Sequence, residues 1–174
     1  LRAIAIPDSV TTIGVSSFQG ATGLTSVTFT PNSQLTTIGI SAFLDATSLT
    51  TIAIPDSVIT IGVSSFQGAT GLTSVTFSAN SQLTTIGDAA FYAASSLATV
   101  TFLGPPPANV GALAFSNLPL GARAVVSPSH IGTGAGKYGN VGSTWNGLII
   151  ALPLSILTLD SEGTITTQAV EEAS

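Results

Sequence analysis

The sequence predicts a β-rich solenoid, and three observations carry that prediction. Leu1, Leu24, Leu49, Leu72 and Leu97 open similar segments at spacings of 23, 25, 23 and 25 residues. Leu49 to Gly71 nearly repeats Leu1 to Gly23, so the true period is a pair of segments, 49 − 1 = 48 residues. Each segment also opens on alternating apolar and polar residues, as in Thr51-Ile52-Ala53-Ile54. A segment this short cannot bury its own apolar side. It must lean on copies of itself, which is how solenoid repeats are stabilised.

The elements of one unit follow in order. The opening string, Leu49 to Ile54 or Leu72 to Phe77, is rich in β-branched residues and alternates with the period of a strand. Ile52 and Ile54 are expected inward, with Thr51 and Ala53 outward. Pro7 and Pro55 are expected to stop their strands and turn the chain. The second half carries Val10, Ile13 and Phe18, which recur as Leu35, Ile38 and Phe43 and again as Val58, Ile61 and Phe66. Gly14, Gly39, Gly62 and Gly87 hold one fixed place, which calls for an unusual backbone angle or a close approach of chains. After the glycine, a string such as VSSFQGA has the length of about one helical or 3₁₀ turn.

The pattern L-x-x-I-x-I-P-x-S-V-x-x-I-G-x-x-[SA]-F resembles the BspA-like class of leucine-rich repeats, from Leu1 to about Phe115. The resemblance implies a curved, right-handed solenoid with parallel strands on its concave face, found mostly on secreted or surface proteins of microbes and often in adhesins. That family often has Cys three residues after the Phe. Here those places hold Ala21, Ala46, Ala69 and Ala94, which keep a small side chain and lose the thiol.

The rhythm breaks after Leu97. Residues 1–103 are read as the repeat array, about four and a half units, 104–153 as a C-terminal β cap and 154–174 as a hairpin or linker tail. Pro105, Pro106 and Pro107 hold the start of the cap extended. Trp145, in a TWNGL string like that of the family's terminal segment, is the expected apolar plug. Leu148 to Leu159 is too short to span a bilayer and contains Pro153, so closing strands are expected there. Ser161-Glu162-Gly163 suits a hairpin turn.

Composition narrows the function. Charged residues are 6% of the chain and the net charge is −5, with Arg2, Arg123 and Lys137 the only basic side chains. Nucleic acid is therefore not an expected partner, nor is an anionic membrane surface. The absence of cysteine removes disulfides and thiolate metal sites. A surface of Ser, Thr, Gly and Ala with almost no charge favours an extracellular or cell-surface location. The chain begins on a repeat rather than on Met, so a mature or excised fragment of a longer protein is expected.

Chemistry-bearing motifs are weak. Gly132 to Gly139, GTGAGKYG, lacks the hydroxyl residue after Gly136-Lys137 that a phosphate loop needs, and is read as a flexible cap loop. His130 is the sole histidine, and Ser127 and Ser129 have no identifiable base and orienter. Asp8 and Asp56 sit in Pro-Asp-Ser turns, where the carboxylate is expected to accept a backbone hydrogen bond. No cofactor and no enzymatic activity are expected.

Two sets of outward residues remain as candidate binding surfaces. On the strands these are Ser26, Thr28, Thr51, Ser74, Thr76, Thr99 and Thr101, with Arg2 the only charge expected nearby. The alternative is a ladder of Thr12, Thr37, Thr60 and Thr85, which precede the Ile-Gly step and lie beside Thr11, Thr36, Ile59 and Thr84. The leading expectation is a non-enzymatic adhesion or structural interaction module for a protein, polysaccharide or surface ligand. Ice binding through the Thr ladder is one alternative. Self-assembly through an unpaired strand edge in the first repeat is another.

Overall fold

The computed structural model describes residues 2–153, 156–159 and 165–168. In chain order its strands are β1 (Ala3–Ile6), β2 (Thr12–Ile13), β3 (Ser26–Phe29), β4 (Thr37–Ile38) and β5 (Thr51–Ile54). Then come β6 (Thr60–Ile61), β7 (Ser74–Phe77), β8 (Thr85–Ile86), β9 (Thr99–Phe102) and β10 (Asn109–Val110). The last five are β11 (Arg123–Val126), β12 (Thr144–Trp145), β13 (Leu148–Ala151), β14 (Ile156–Leu159) and β15 (Ile165–Gln168).

The chain coils through two sheets. The first, concave sheet runs β1-β3-β5-β7-β9-β11-β13-β12, and all its pairs are parallel except the terminal β12–β13. The second runs β10-β8-β6-β4-β2, also parallel. Each of the first five rungs of this parallel β-solenoid contributes one strand to each sheet, and the core lies between them. Leu24, Leu49, Leu72 and Leu97 have no exposure, and the residues after them alternate inward as the strand period requires. β14 and β15 pair antiparallel, as the hairpin reading expects. The Ser161-Glu162-Gly163 turn and the tail beyond Gln168 lie outside the described residues, as does Leu1.

Stacking places like on like. Phe18, Phe43, Phe66, Phe91 and Phe115 form one column with ring centroids 5.1, 5.1, 5.1 and 5.2 Å apart and interplanar angles of 10° or less. Ala46, Ala69 and Ala94 are fully buried, so the small side chain at that place does pack into the core.

The segment after each glycine is not helical. Alternate amides turn inward and outward: Ser17, Gln19 and Ala21 N–H donate to Gly14, Ser16 and Phe18 O within the turn. Ser16, Phe18 and Gly20 N–H donate instead to Ile40, Ala42 and Leu44 O on the next rung. Half the donors a helix would need are thus taken by the neighbour. Ser16, Ser41, Ser64 and Ala89 adopt positive φ, between 52° and 56°, which a continuous right-handed turn excludes. The only helix among the described residues is a short 3₁₀ segment, Pro128–His130.

The fixed glycines are explained by close approach. A Cβ on Gly39 would stand 2.8 Å from the Gly14 carbonyl carbon, and one on Gly62 would stand 2.7 Å from that of Gly39. Gly14 faces only the flexible Ser17 hydroxyl, at 3.2 Å. Gly62→Ala is therefore expected to force two rungs apart and destabilise by about 1–3 kcal/mol, whereas Gly14→Ala stays near wild type. Thermal melting of the two variants checks this, and equal losses would refute the close-approach account.

Candidate functional site

The concave sheet brings the strand candidates together. Ser26, Thr51, Ser74 and Thr99 are successive partners in one column. Thr76 and Thr101 are partners in the next. Thr28 pairs with Ala5 behind it but has no partner ahead. Thr28 and Thr51 are exposed, and the other five are half-buried between neighbours. The first column does not end at Thr99: β11 adds Arg123 beside it. Arg2 is therefore not the sole charge at this sheet, because the segment read as cap begins with a further rung.

The second sheet aligns the other candidates. Thr12, Thr37, Thr60 and Thr85 are partners in one unbroken line, continued by Asn109. In the column beside it, Thr36 and Thr84 hydroxyls donate to Thr11 and Ile59 O, at 3.1 and 3.2 Å. In that adjoining column Thr11 and Thr84 are exposed and Thr36 is half-buried, and Ile59 is the one residue there without a hydroxyl. Past the glycine, Val15, Ile40 and Val63 are 68, 50 and 43% exposed, an aliphatic column the sequence reading passed over.

The sheet is breached at one place. β1–β3, β5–β7, β7–β9 and β9–β11 each pair over four positions, but β3–β5 pair only at Ser26–Thr51. Beyond that pair the strands part around an open cavity of about 830 Å³. Its walls are residues 26–31 and 33 on one side and 51 and 53–57 on the other, with Ser78 and Gln82 from the following rung. The two rungs meet again at Ser57, whose Oγ lies 2.9 Å from Ser33 O and 2.8 Å from Leu35 O.

Pro55 stands at the edge of the break. At the matching place Leu103 N–H donates to Phe77 O at 3.1 Å and Ser127 N–H to Phe102 O at 3.3 Å, although β1–β3 and β5–β7 pair over four positions without that bond. Pro55 has no N–H to give, and a proline ring is poorly accommodated beside a neighbouring strand. Phe77 and Phe102 also stack at 4.8 Å, whereas Phe29 would meet Ile54 and stays half-buried. Pro55 could have been flagged from sequence, since proline is disfavoured inside a sheet, but it was read only as a turn.

The Asp side chains depart from expectation. Asp56 Oδ1 accepts from the Ser78 hydroxyl of the next rung, not from a backbone N–H. Asp8 Oδ1 is buried without a partner. Asp88 Oδ1, on another rung, does take a backbone donor, Leu113 N–H, at 2.9 Å.

The cap loop is hydrogen-bonded across its base. Gly132 N–H donates to Gly139 O, and Tyr138 N–H to His130 O, both at 2.9 Å. Tyr138 is 3% exposed and meets Trp145 edge-on at 5.0 Å and Phe102 at 5.5 Å. Trp145 is only half-buried, so the plug is shared between the two rings. On the surface, Ser129 Oγ lies 3.2 Å from His130 Nδ1 and 2.9 Å from Ser127 Oγ, and Lys137 Nζ donates to Ser129 O. No carboxylate is hydrogen-bonded to His130, and no cluster of three His, Cys, Asp or Glu occurs among the described residues. No helix among them is long and apolar enough to cross a membrane.

A family model for the BspA type leucine-rich repeat region matches residues 1–120 in six copies. A search of curated proteins returned no match. Among solved structures, a leucine-rich repeat protein of T. pallidum is 25% identical, with a TM-score of 0.60 over 71% of this chain and 57% of that one. A leucine-rich cell surface protein from Faecalibacterium prausnitzii A2-165 is 25% identical, with a TM-score of 0.52 over 74% of this chain and 40% of that one. A leucine-rich repeat protein from Bacteroides ovatus ATCC 8483 is 25% identical, with a TM-score of 0.58 over 90% and 41%. The chain thus spans between 40 and 57% of the length of these proteins.

The buried tyrosine makes the cap sensitive to alkali. Burial pushes the Tyr138 phenol well above its ordinary value. In the unfolded chain it ionises near pH ~10, while the folded one stays neutral. The unfolded state then binds fewer protons, so stability falls as pH rises past that point. Tyr138→Phe is expected to lower the melting temperature at neutral pH through loss of the 3.3 Å bond to Gly104 O, and to flatten the decline between about pH 9 and 11. Melting curves across that range decide the matter; an unchanged slope would exclude Tyr138 as its source.

Proposed function

The chain belongs to the BspA-type leucine-rich repeat family, and from that premise we propose that it is a non-enzymatic interaction module displayed outside the cell. Its ligand-holding surface is the concave sheet, with Ser26, Thr28, Thr51, Ser74, Thr76, Thr99 and Thr101 in contact with a protein or polysaccharide partner. Adhesion is the role this arrangement serves. The observation that carries the reading is the sheet's outward columns, which run in register for several rungs with hydroxyls and almost no charge. The F. prausnitzii relative, a cell surface protein, supports the location. Of residues 104–153, those through β11 continue the sheets and those after it act as the closing segment, with Tyr138 and Trp145 covering the last aromatic rings.

Few rigid aromatic anchors stand on this sheet, so recognition rests on many small contacts and affinity per site is modest. Display in several copies would raise the overall hold without new contacts. A lysine at Thr28 or Thr76 introduces a charge and a long side chain where hydroxyls now stand. The Thr28→Lys/Thr76→Lys double variant is expected to lose at least about tenfold in binding to immobilised extracellular-matrix proteins and neutral polysaccharides, ~1.4 kcal/mol or more. Undiminished binding would remove the concave sheet from the interaction.

A further inference from the structure

We propose that the breach between β3 and β5 is a built ligand site for a compact, uncharged, hydroxyl-rich molecule, one saccharide unit of a glycan. This deepens the concave-sheet reading and rests on it, because Ser26, Thr28 and Thr51 belong both to that sheet and to the cavity wall.

The walls select the chemistry. Strand separation leaves the main-chain groups of Val27, Phe29 and Ala53 facing the cavity, while Thr28 keeps its pairing toward β1 and Ile52 and Ile54 keep theirs toward β7, so both donors and acceptors line it. The Thr30 and Thr51 hydroxyls and the Gln82 amide add groups that act in either sense. Asp56 contributes a carboxylate whose second oxygen is not engaged by Ser78. No cation lines the space, so phosphate, sulfate and carboxylate ligands are disfavoured. Phe29, Pro31 and Pro55 offer apolar patches for the C–H faces of a pyranose ring. A volume of about 830 Å³ lies in the range of small-molecule pockets.

An extended peptide is the competing occupant, and the geometry disfavours it. A strand inserted between β3 and β5 needs about 4.8 Å on each side along its whole length. The cavity is closed at one end by Ser26–Thr51 and at the other by Ser57 against Ser33. A compact ligand fits an opening closed at both ends; a continuous chain does not.

Pro55 provides the decisive variant. Pro55→Ser restores a donor where Ser127 has one, and is expected to let β3 and β5 zip together. In the closed ladder Ala53 N–H would donate to Val27 O, so closure is read directly as slower hydrogen exchange at Ala53. In the wild type that amide should exchange at least about tenfold faster than that of its counterpart Thr101. The binding probes are an array of neutral hexose and N-acetylhexosamine oligosaccharides and an array of extended peptides, with hits titrated by calorimetry. The expected result is saccharide binding, weakened at least about tenfold in Pro55→Ser and in Thr51→Trp, which fills the cavity. Ser96→Lys, on the return turn of a later rung, should bind as the wild type does. Thr51→Trp decides the outcome should Pro55→Ser leave Ala53 exchange fast. Saccharide binding that survives Thr51→Trp but is lost in Thr76→Lys would overturn the cavity while leaving the sheet reading intact. Peptide binding in place of saccharide, or no binding to either array, would also overturn it.

Discussion

Main-chain hydrogen bonding from rung to rung, at the spacing of adjacent strands, is the constraint on which the molecule depends. It fixes a repeat distance of about 4.8 Å, and every side chain then meets its counterpart one repeat later. The phenylalanine rings follow that spacing, at 5.1 or 5.2 Å with their planes nearly parallel. The same spacing leaves no room for a Cβ at Gly39, Gly62 or Gly87. Sequence repetition is thus a packing requirement: a bulky residue fits only where the neighbours offer it the same shape. The return turns are bound by the same rule. Their amides serve the next rung before they serve a helix, and serine and alanine accept positive φ to make that possible.

That constraint also explains how so few charges suffice. Several threonine hydroxyls bond back to the preceding rung: Thr36 to Thr11 O, Thr73 to Thr50 O and Thr84 to Ile59 O. They satisfy carbonyls at rung margins without ion pairs. The resulting surface has little field to steer a charged partner. In the proposed interaction role a ligand is held by hydrogen bonds and shape, and weakly screened by salt.

How much of this was legible follows from the same rule. The repeat, the inward Ile and Leu positions and the Phe column could be read because repetition writes them five times. The candidate columns were legible for that reason too, and the structure pairs Thr12, Thr37, Thr60 and Thr85 as the alignment of repeats requires. What escaped is what occurs once. Tyr138 stands in a glycine-rich string with no periodicity to mark it as buried. Arg123 continues a column only because β11 adds a rung whose sequence no longer resembles the others. The non-helical turns escaped for a different reason. Ser16, Ser41, Ser64 and Ala89 adopt positive φ without being glycine, so no residue type announced the conformation.

Pro55 unites these threads, because a solenoid can absorb a local break that would unravel a less redundant sheet. Each rung is held by two sheets and a core column, and only one of the three fails between β3 and β5. On the same pair of rungs Phe43 and Phe66 remain stacked at 5.1 Å, and β4 and β6 keep their Thr37–Thr60 and Ile38–Ile61 pairs. Ile59 N–H still donates to Thr36 O at 2.9 Å. The opening is therefore confined to the concave side, and the rungs cannot slide because the far side stays in register. Pro7 holds the equivalent place in the first repeat. At Pro55 the cavity opens among the small hydroxyl residues that the rest of the concave surface presents.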